Sequence, residues 1–201
     1  MQIVRRALLF LVPFVVSPVL AGAEEQNFPP LDVPARSVPV PDTVSPQMRR
    51  LIGAPLPAYW KTVPKSADEW KSLRDAGAAR TLKELPKLRE QFGVRVEQQT
   101  IAGVNCYVLT PNTMPEVNRN RLLMHLHAGA FFLSPGESGT REAILMAGFG
   151  HMKVVSVDFR MPPDLPYPAS LDDAVAVWKE LARTTNPANV AIFGSSSARL
   201  Y

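Results

Sequence analysis

Three short apolar runs separated by helical patterns constrain this chain most. Arg121 to His127, Lys153 to Asp158 and Val190 to Phe193 have strand length, and at least half of each is apolar. Glu142 to Ala147 reads as helix between the first two. Leu171 to Leu181 reads as helix before the third, with Leu171, Val175, Trp178 and Leu181 on one side. A strand that is apolar on both faces must be covered on both faces. The pattern therefore predicts an α/β protein with a mostly parallel sheet and helices on either side.

The region before this pattern has a different character. From Gly93 the period is two. Val94 and Val96 alternate with Arg95 and Glu97, Ala102-Gly103 has turn chemistry, and Val104, Cys106 and Val108 alternate again. This is a β-hairpin with one face buried. Ser66 to Glu69 and Thr81 to Glu84 each place a hydroxyl three residues before a carboxylate, which predicts two helix starts. Trp70 and Leu73, then Leu82, Leu85 and Leu88, form apolar stripes for packing. Residues 24–66 hold nine prolines, each fixing φ and removing a donor. An extended arm with one short helix at Pro46 to Leu51 is expected there.

The first residues read as a processing segment. Arg5 and Arg6 precede an apolar stretch from Ala7 to Leu20, and Ala21-Gly22-Ala23 has the small-x-small pattern of a cleavage site. The stretch is short for a bilayer span and is interrupted by Pro13 and Pro18. We expect a signal peptide over 1–23, an arm with cap helices over 24–92 and a core over 93–201. Export to the periplasm or medium follows, with no stable membrane insertion after cleavage; an uncleaved anchor is the alternative.

Losing residues 1–23 lowers the formal charge from +4 to +2. The remaining charges are mixed in sign, as in Lys83-Glu84 and Arg89-Glu90, so the basic footprint of a nucleic-acid partner is lacking. Cys106 is the single cysteine; it cannot form an intrachain disulfide and reads as a small core residue.

Two segments carry chemistry. Gly194-Ser195-Ser196-Ser197-Ala198 follows an apolar strand. A sharp turn there would lift Ser196 above the sheet edge, with small neighbours required by the strained backbone. His127-Ala128-Gly129-Ala130-Phe131 also follows an apolar strand, and its small residues let backbone amides approach a substrate oxygen. Taken alone, that loop reads better as a tight connection that merely needs small side chains. His125 and His127 point the same way from a strand, but no third ligand accompanies them, so no metal site is expected. His151 reads as a surface residue at a turn. Asp158 reads as an acceptor for backbone amides, and Asp172 and Asp173 as favourable charges at a helix N-terminus.

Together these segments resemble the hormone-sensitive-lipase branch of the α/β-hydrolases. His127 to Phe131 is similar to the branch's His-Gly-Gly-Gly-aromatic loop, and Gly194 to Ala198 to its nucleophile elbow. Asp158-Phe159-Arg160 and Pro163 to Asp173 are similar to its Asp-Tyr-Arg and proline-rich motifs. The match covers about residues 121–198 in family order. It implies that Ser196 is the catalytic nucleophile, that the amides of Gly129, Ala130 and Ser197 form an oxyanion hole, and that His127 is a structural loop residue. It further implies hydrolysis of small-molecule, short- to medium-chain carboxylic esters through an acyl-serine, without metal or organic cofactor.

Several positions depart from the family pattern. Ala128, Ala130 and Ala198 stand where it has glycine, Phe159 where it has tyrosine, and Arg199 where it has a tiny residue. The family's acid and histidine follow the serine, and only five residues follow Ser196 here. The expectation is a partial α/β-hydrolase fold, C-terminally truncated with its last strands absent. Catalysis would then be impaired for want of the acid and histidine. The alternatives are a non-catalytic acyl-ligand-binding fragment and an enzyme completed by another chain.

Overall fold

The computed structural model describes residues 31, 34–56 and 61–200, with side chains through Ala198. The expected signal peptide over 1–23 lies outside the described residues. Contacts divide the chain into two compact units, residues 1–56 and 57–201. In the first unit, helix α1 covers Pro46–Ile52. Ser45 caps it by accepting from the Met48 amide at 3.2 Å, and Pro46 sits in the first turn where no donor is missed.

The second unit opens with α2, Ala67–Phe92. The Ser66 hydroxyl accepts from the Glu69 amide at 3.2 Å, while the Glu69 carboxylate accepts from the Lys65 amide at 2.7 Å. The second expected helix start is corrected by the structure. Thr81 lies inside the continuous α2 and donates its hydroxyl back to the Gly77 carbonyl. A capping box acts only where amides are unpaired, and Ala78-Ala79-Arg80 offers nothing to break the preceding turns. The helix ends on Gly93, whose φ of 59° closes it in the left-handed conformation.

Strands β1 (Val94–Ile101) and β2 (Val104–Pro111) form the hairpin, with Ile101 opposite Val104. Ala102 and Gly103, at φ 50° and 81°, make the two-residue turn whose twist suits a hairpin. The remaining elements are β3 (Leu122–Leu126), α3 (Arg141–Gly150), β4 (Lys153–Val157), α4 (Ala169–Thr184) and β5 (Val190–Gly194). The sheet order is β1-β2-β4-β3-β5, antiparallel across β1, β2 and β4 and parallel across β4, β3 and β5.

Two cores cover the two faces. On one, Leu122, Met124 and Leu126 pack with Ala174, Val177 and Leu181 of α4. On the other, Leu123 and Val154 pack with Ala143, Ile144 and Ala147 of α3 and Leu85 of α2. The hairpin differs from its one-faced expectation: β2 contributes Val104, Cys106 and Val108 to the first core and Leu109 to the second. An interior strand is covered on both sides. β5 ends the sheet among the described residues, and Ala191 and Ile192 on it are exposed.

Candidate active site

At the end of β5 the backbone turns sharply. Ser196 has φ 54°, a left-handed conformation that is uncommon outside glycine, and is solvent-exposed at the start of a short 3-10 turn, Ser196–Leu200. Such backbone strain costs on the order of 1–3 kcal/mol and persists only where the surroundings enforce it. They do so here. A Cβ on Gly194 would stand 2.3 Å from the Leu126 carbonyl oxygen and 2.5 Å from the Ala198 methyl, so only glycine fits. Ser197 is buried.

The loop after β3 is built from an unusual run of left-handed residues: Gly129 at φ 139°, Ala130 at 53° and Phe131 at 58°. The Gly129 carbonyl accepts from the Phe132 and Leu133 amides at 2.9 and 2.7 Å. A Cβ there would lie 2.5 Å from the Leu133 oxygen. Of the three alanines standing for glycines, only Ala130 takes a positive φ; Ala128 and Ala198 do not.

His127 is 3% exposed and stacks on Phe159, with ring centroids 4.2 Å apart and planes 7° from parallel. Its Nδ1 donates to the Ala128 carbonyl at 2.9 Å. Burial holds its pKa below the ordinary histidine value and keeps the ring neutral. Phe159 thus provides the stacking face that fixes the loop.

Register brings the two segments side by side. Leu126 pairs with Gly194 across parallel β3 and β5, so His127 and Ser195 leave adjacent strands at the same end of the sheet. A cavity of about 320 Å³ between them and α3 is lined by His127, Ala128, Ser134, Glu142, Leu145 and Ser195. Helix α2 braces the surroundings. Trp70 meets Phe132 edge to face at 5.2 Å, Arg89 pairs with Glu137, and Lys71 and Arg74 both bind Asp164.

The other candidates have settled roles. Asp158 accepts from the Gly136 amide at 2.7 Å and from the Asn105 amide side chain at 2.8 Å. His151 closes α3 at φ 47° on the surface beside Thr113. Asp172 lies in the first turn of α4, but Asp173 turns away from the helix start. It is buried and accepts from the Arg160 amide at 2.8 Å and from its guanidinium at 2.7 Å.

His125 is the residue whose surroundings the sequence did not reveal. It is fully buried and lies against Phe193 at 4.8 Å; Nδ1 is 2.8 Å from the Ser156 hydroxyl and Nε2 is 3.3 Å from a Glu142 oxygen. The Ser195 hydroxyl donates to that same oxygen at 3.1 Å. Four polar side chains from β4, β3, α3 and the end of β5 therefore meet, although 17 to 53 positions separate partners in the chain. Polar His125 and Ser156 within apolar strands were the available signal. No three histidine, cysteine or acidic side chains gather in metal-binding geometry among the described residues.

Residues 123–197 match the family model of the alpha/beta hydrolase fold. An esterase of Acinetobacter venetianus is 32% identical over 84 residues, which is 40% of this chain and 27% of the relative. Carboxylesterase NlhH of Mycobacterium tuberculosis is 29% identical over 127 residues, 59% of this chain and 39% of that protein. Among solved structures, esterase E25 aligns with a TM-score of 0.74 and 31% identity over 84% of this chain and 53% of its own. A hormone-sensitive lipase from a metagenome library shares the fold, with a TM-score of 0.56 at 21% identity over 69% of this chain and 44% of that one. The matched segment has the alpha/beta hydrolase fold, and the chain is similar to esterases and carboxylesterases that carry it. The chain spans between 27% and 53% of the length of these relatives.

Proposed function

We propose that this chain carries the nucleophile and oxyanion elements of a serine carboxylesterase acting on short- to medium-chain carboxylic esters. The observation that carries the reading is Ser196 at φ 54° immediately beyond a strand, where Gly194 admits no side chain. In this reading the Ser196 hydroxyl attacks the ester carbonyl, and the amides of Gly129, Ala130 and Ser197 receive the developing oxyanion. The alcohol leaves, and water then releases the acid from the acyl-serine. The esterase names of the relatives support the same chemistry.

A serine needs a base, and the three histidines of the sequence are engaged elsewhere. His125 contacts Ser156 and Glu142, His127 contacts Ala128, and His151 contacts Thr113. We therefore assign these 201 residues a residual activity, of the kind left when a triad member is missing. Hydrolysis of p-nitrophenyl acetate by the purified chain and by Ser196→Ala tests the reading: a lower rate in the variant supports it, and equal rates sink it. The apolar leader at 1–23 directs export in the same proposal, which detection of a processed chain outside the cytoplasm would check.

A further inference from the structure

We infer that Glu142 is a positioning residue for the Ser195–Ser196 turn, its carboxylate holding the Ser195 hydroxyl and so keeping the Ser196 backbone in the left-handed conformation. The inference deepens the esterase reading and rests on it for its catalytic consequence. Its geometry can be tested without turnover.

The hydrogen bonds form a directed set. Ser195 donates to Glu142 Oε2 at 3.1 Å, and in its Nε2–H tautomer His125 donates to the same oxygen at 3.3 Å. His125 Nδ1 then accepts from the Ser156 hydroxyl at 2.8 Å. The imidazole cannot swing away. It is fully buried, bonded to β4 on one side and packed on Phe193 of β5 on the other. Glu142 stands in the first turn of α3, so the carboxylate is carried by a helix that the second core holds against the sheet.

Ser195 is the residue directly before the strained one. A hydroxyl bound to an anionic acceptor is held more firmly than one bound to a neutral group. The Glu142 carboxyl lies below the ordinary glutamate range, first because His125 hydrogen-bonds to it and further because Ser195 does, so it is an anion near neutral pH. The other ionisable groups around it are His125 on β3, His127 lining the shared cavity, and Arg141 beside it, which pairs with Glu84 of α2.

Amide spectra of the ¹⁵N-labelled full chain, recorded from about pH 8 down to about pH 2 or to the onset of acid unfolding, provide the test. The Ser195, Ser196 and Ser197 amides should move together in one titration below the usual glutamate range. That titration should vanish in Glu142→Gln, which has no proton to exchange. Ser195→Ala, which leaves the Glu142–His125 contact in place, should also uncouple the Ser196 amide. In hydrolysis corrected for Ser196→Ala, Glu142→Ala should lower kcat about tenfold with little change in KM. Glu142→Gln should recover part of it, because its amide oxygen still accepts from Ser195. If wild type and Ser196→Ala hydrolyse equally, the esterase reading fails and the spectra alone decide the positioning role. If the three amides ignore Glu142 ionisation, the positioning role is overturned whatever the activity.

Discussion

The carbonyl oxygen of Leu126 would lie 2.3 Å from a Cβ on Gly194, so β3 and β5 approach at the point where the chain turns toward Ser196. This contact couples the sheet to the elbow. The strand neighbour leaves Gly194 no room for a side chain, and the turn that follows places Ser196 at φ 54°. Gly194→Ala must push backbone against backbone and should lower unfolding stability by about 3 kcal/mol, read from urea denaturation. Gly77→Ala is the contrasting case. Nothing lies within 4 Å of a Cβ there, inside α2, and that variant should gain about 0.5–1 kcal/mol.

Ala130 occupies φ 53° with a methyl group in a loop where the resembled pattern has glycine. Ala130→Gly should relieve the clash between Cβ and backbone and stabilise the protein by about 1 kcal/mol, after allowing for the freer unfolded chain. Ala128→Gly, at a residue without positive φ, should instead destabilise slightly. A difference in thermal midpoint between the two variants is the measurement, and identical shifts would contradict it.

Cys106 is fully buried on β2, and burial pushes its thiol pKa up to about 12. The reactive thiolate is therefore scarce and shielded at neutral pH. Folded protein should react with iodoacetamide at least about a hundredfold more slowly than protein in denaturant, which mass spectrometry would quantify.

His127 supplies an acid-sensitive term in stability. Its folded pKa lies below the ordinary value of 6.5 because the ring is buried, so the unfolded chain takes up a proton first as pH falls. Its favourable state is fully present above that ordinary value. It is lost progressively as pH drops from there toward the depressed folded pKa. The urea midpoint should fall over this window in wild type and fall less in His127→Gln.

The alternation of apolar runs and helical stretches after Pro111 carries its own strand–helix reading, because a segment apolar on all sides has few ways to be covered. β3, α3, β4, α4 and β5 all form where their patterns lie. The two hydroxyl–carboxylate spacings look alike in the chain yet part company in space. Ser66 meets unpaired amides, whereas Thr81 sits where the preceding turns already use them. Which helix ends are real depends on what the neighbouring turns do, and short-range spacing holds no record of that.

The same boundary runs through the site. The chain alone marked the turn at Ser196 and the small-residue loop from His127 to Phe131, because strained turns after strands leave a local signature. Gly129, Ala130 and Ser197 are singled out only through the family resemblance. Only the fold decided that Ala130, and neither Ala128 nor Ala198, carries the positive φ, and that Glu142, His125, Ser156 and Ser195 converge. Local composition limits the conformations a backbone can reach. Partners brought together from distant strands depend on register and crossover, which exist only once the sheet has assembled.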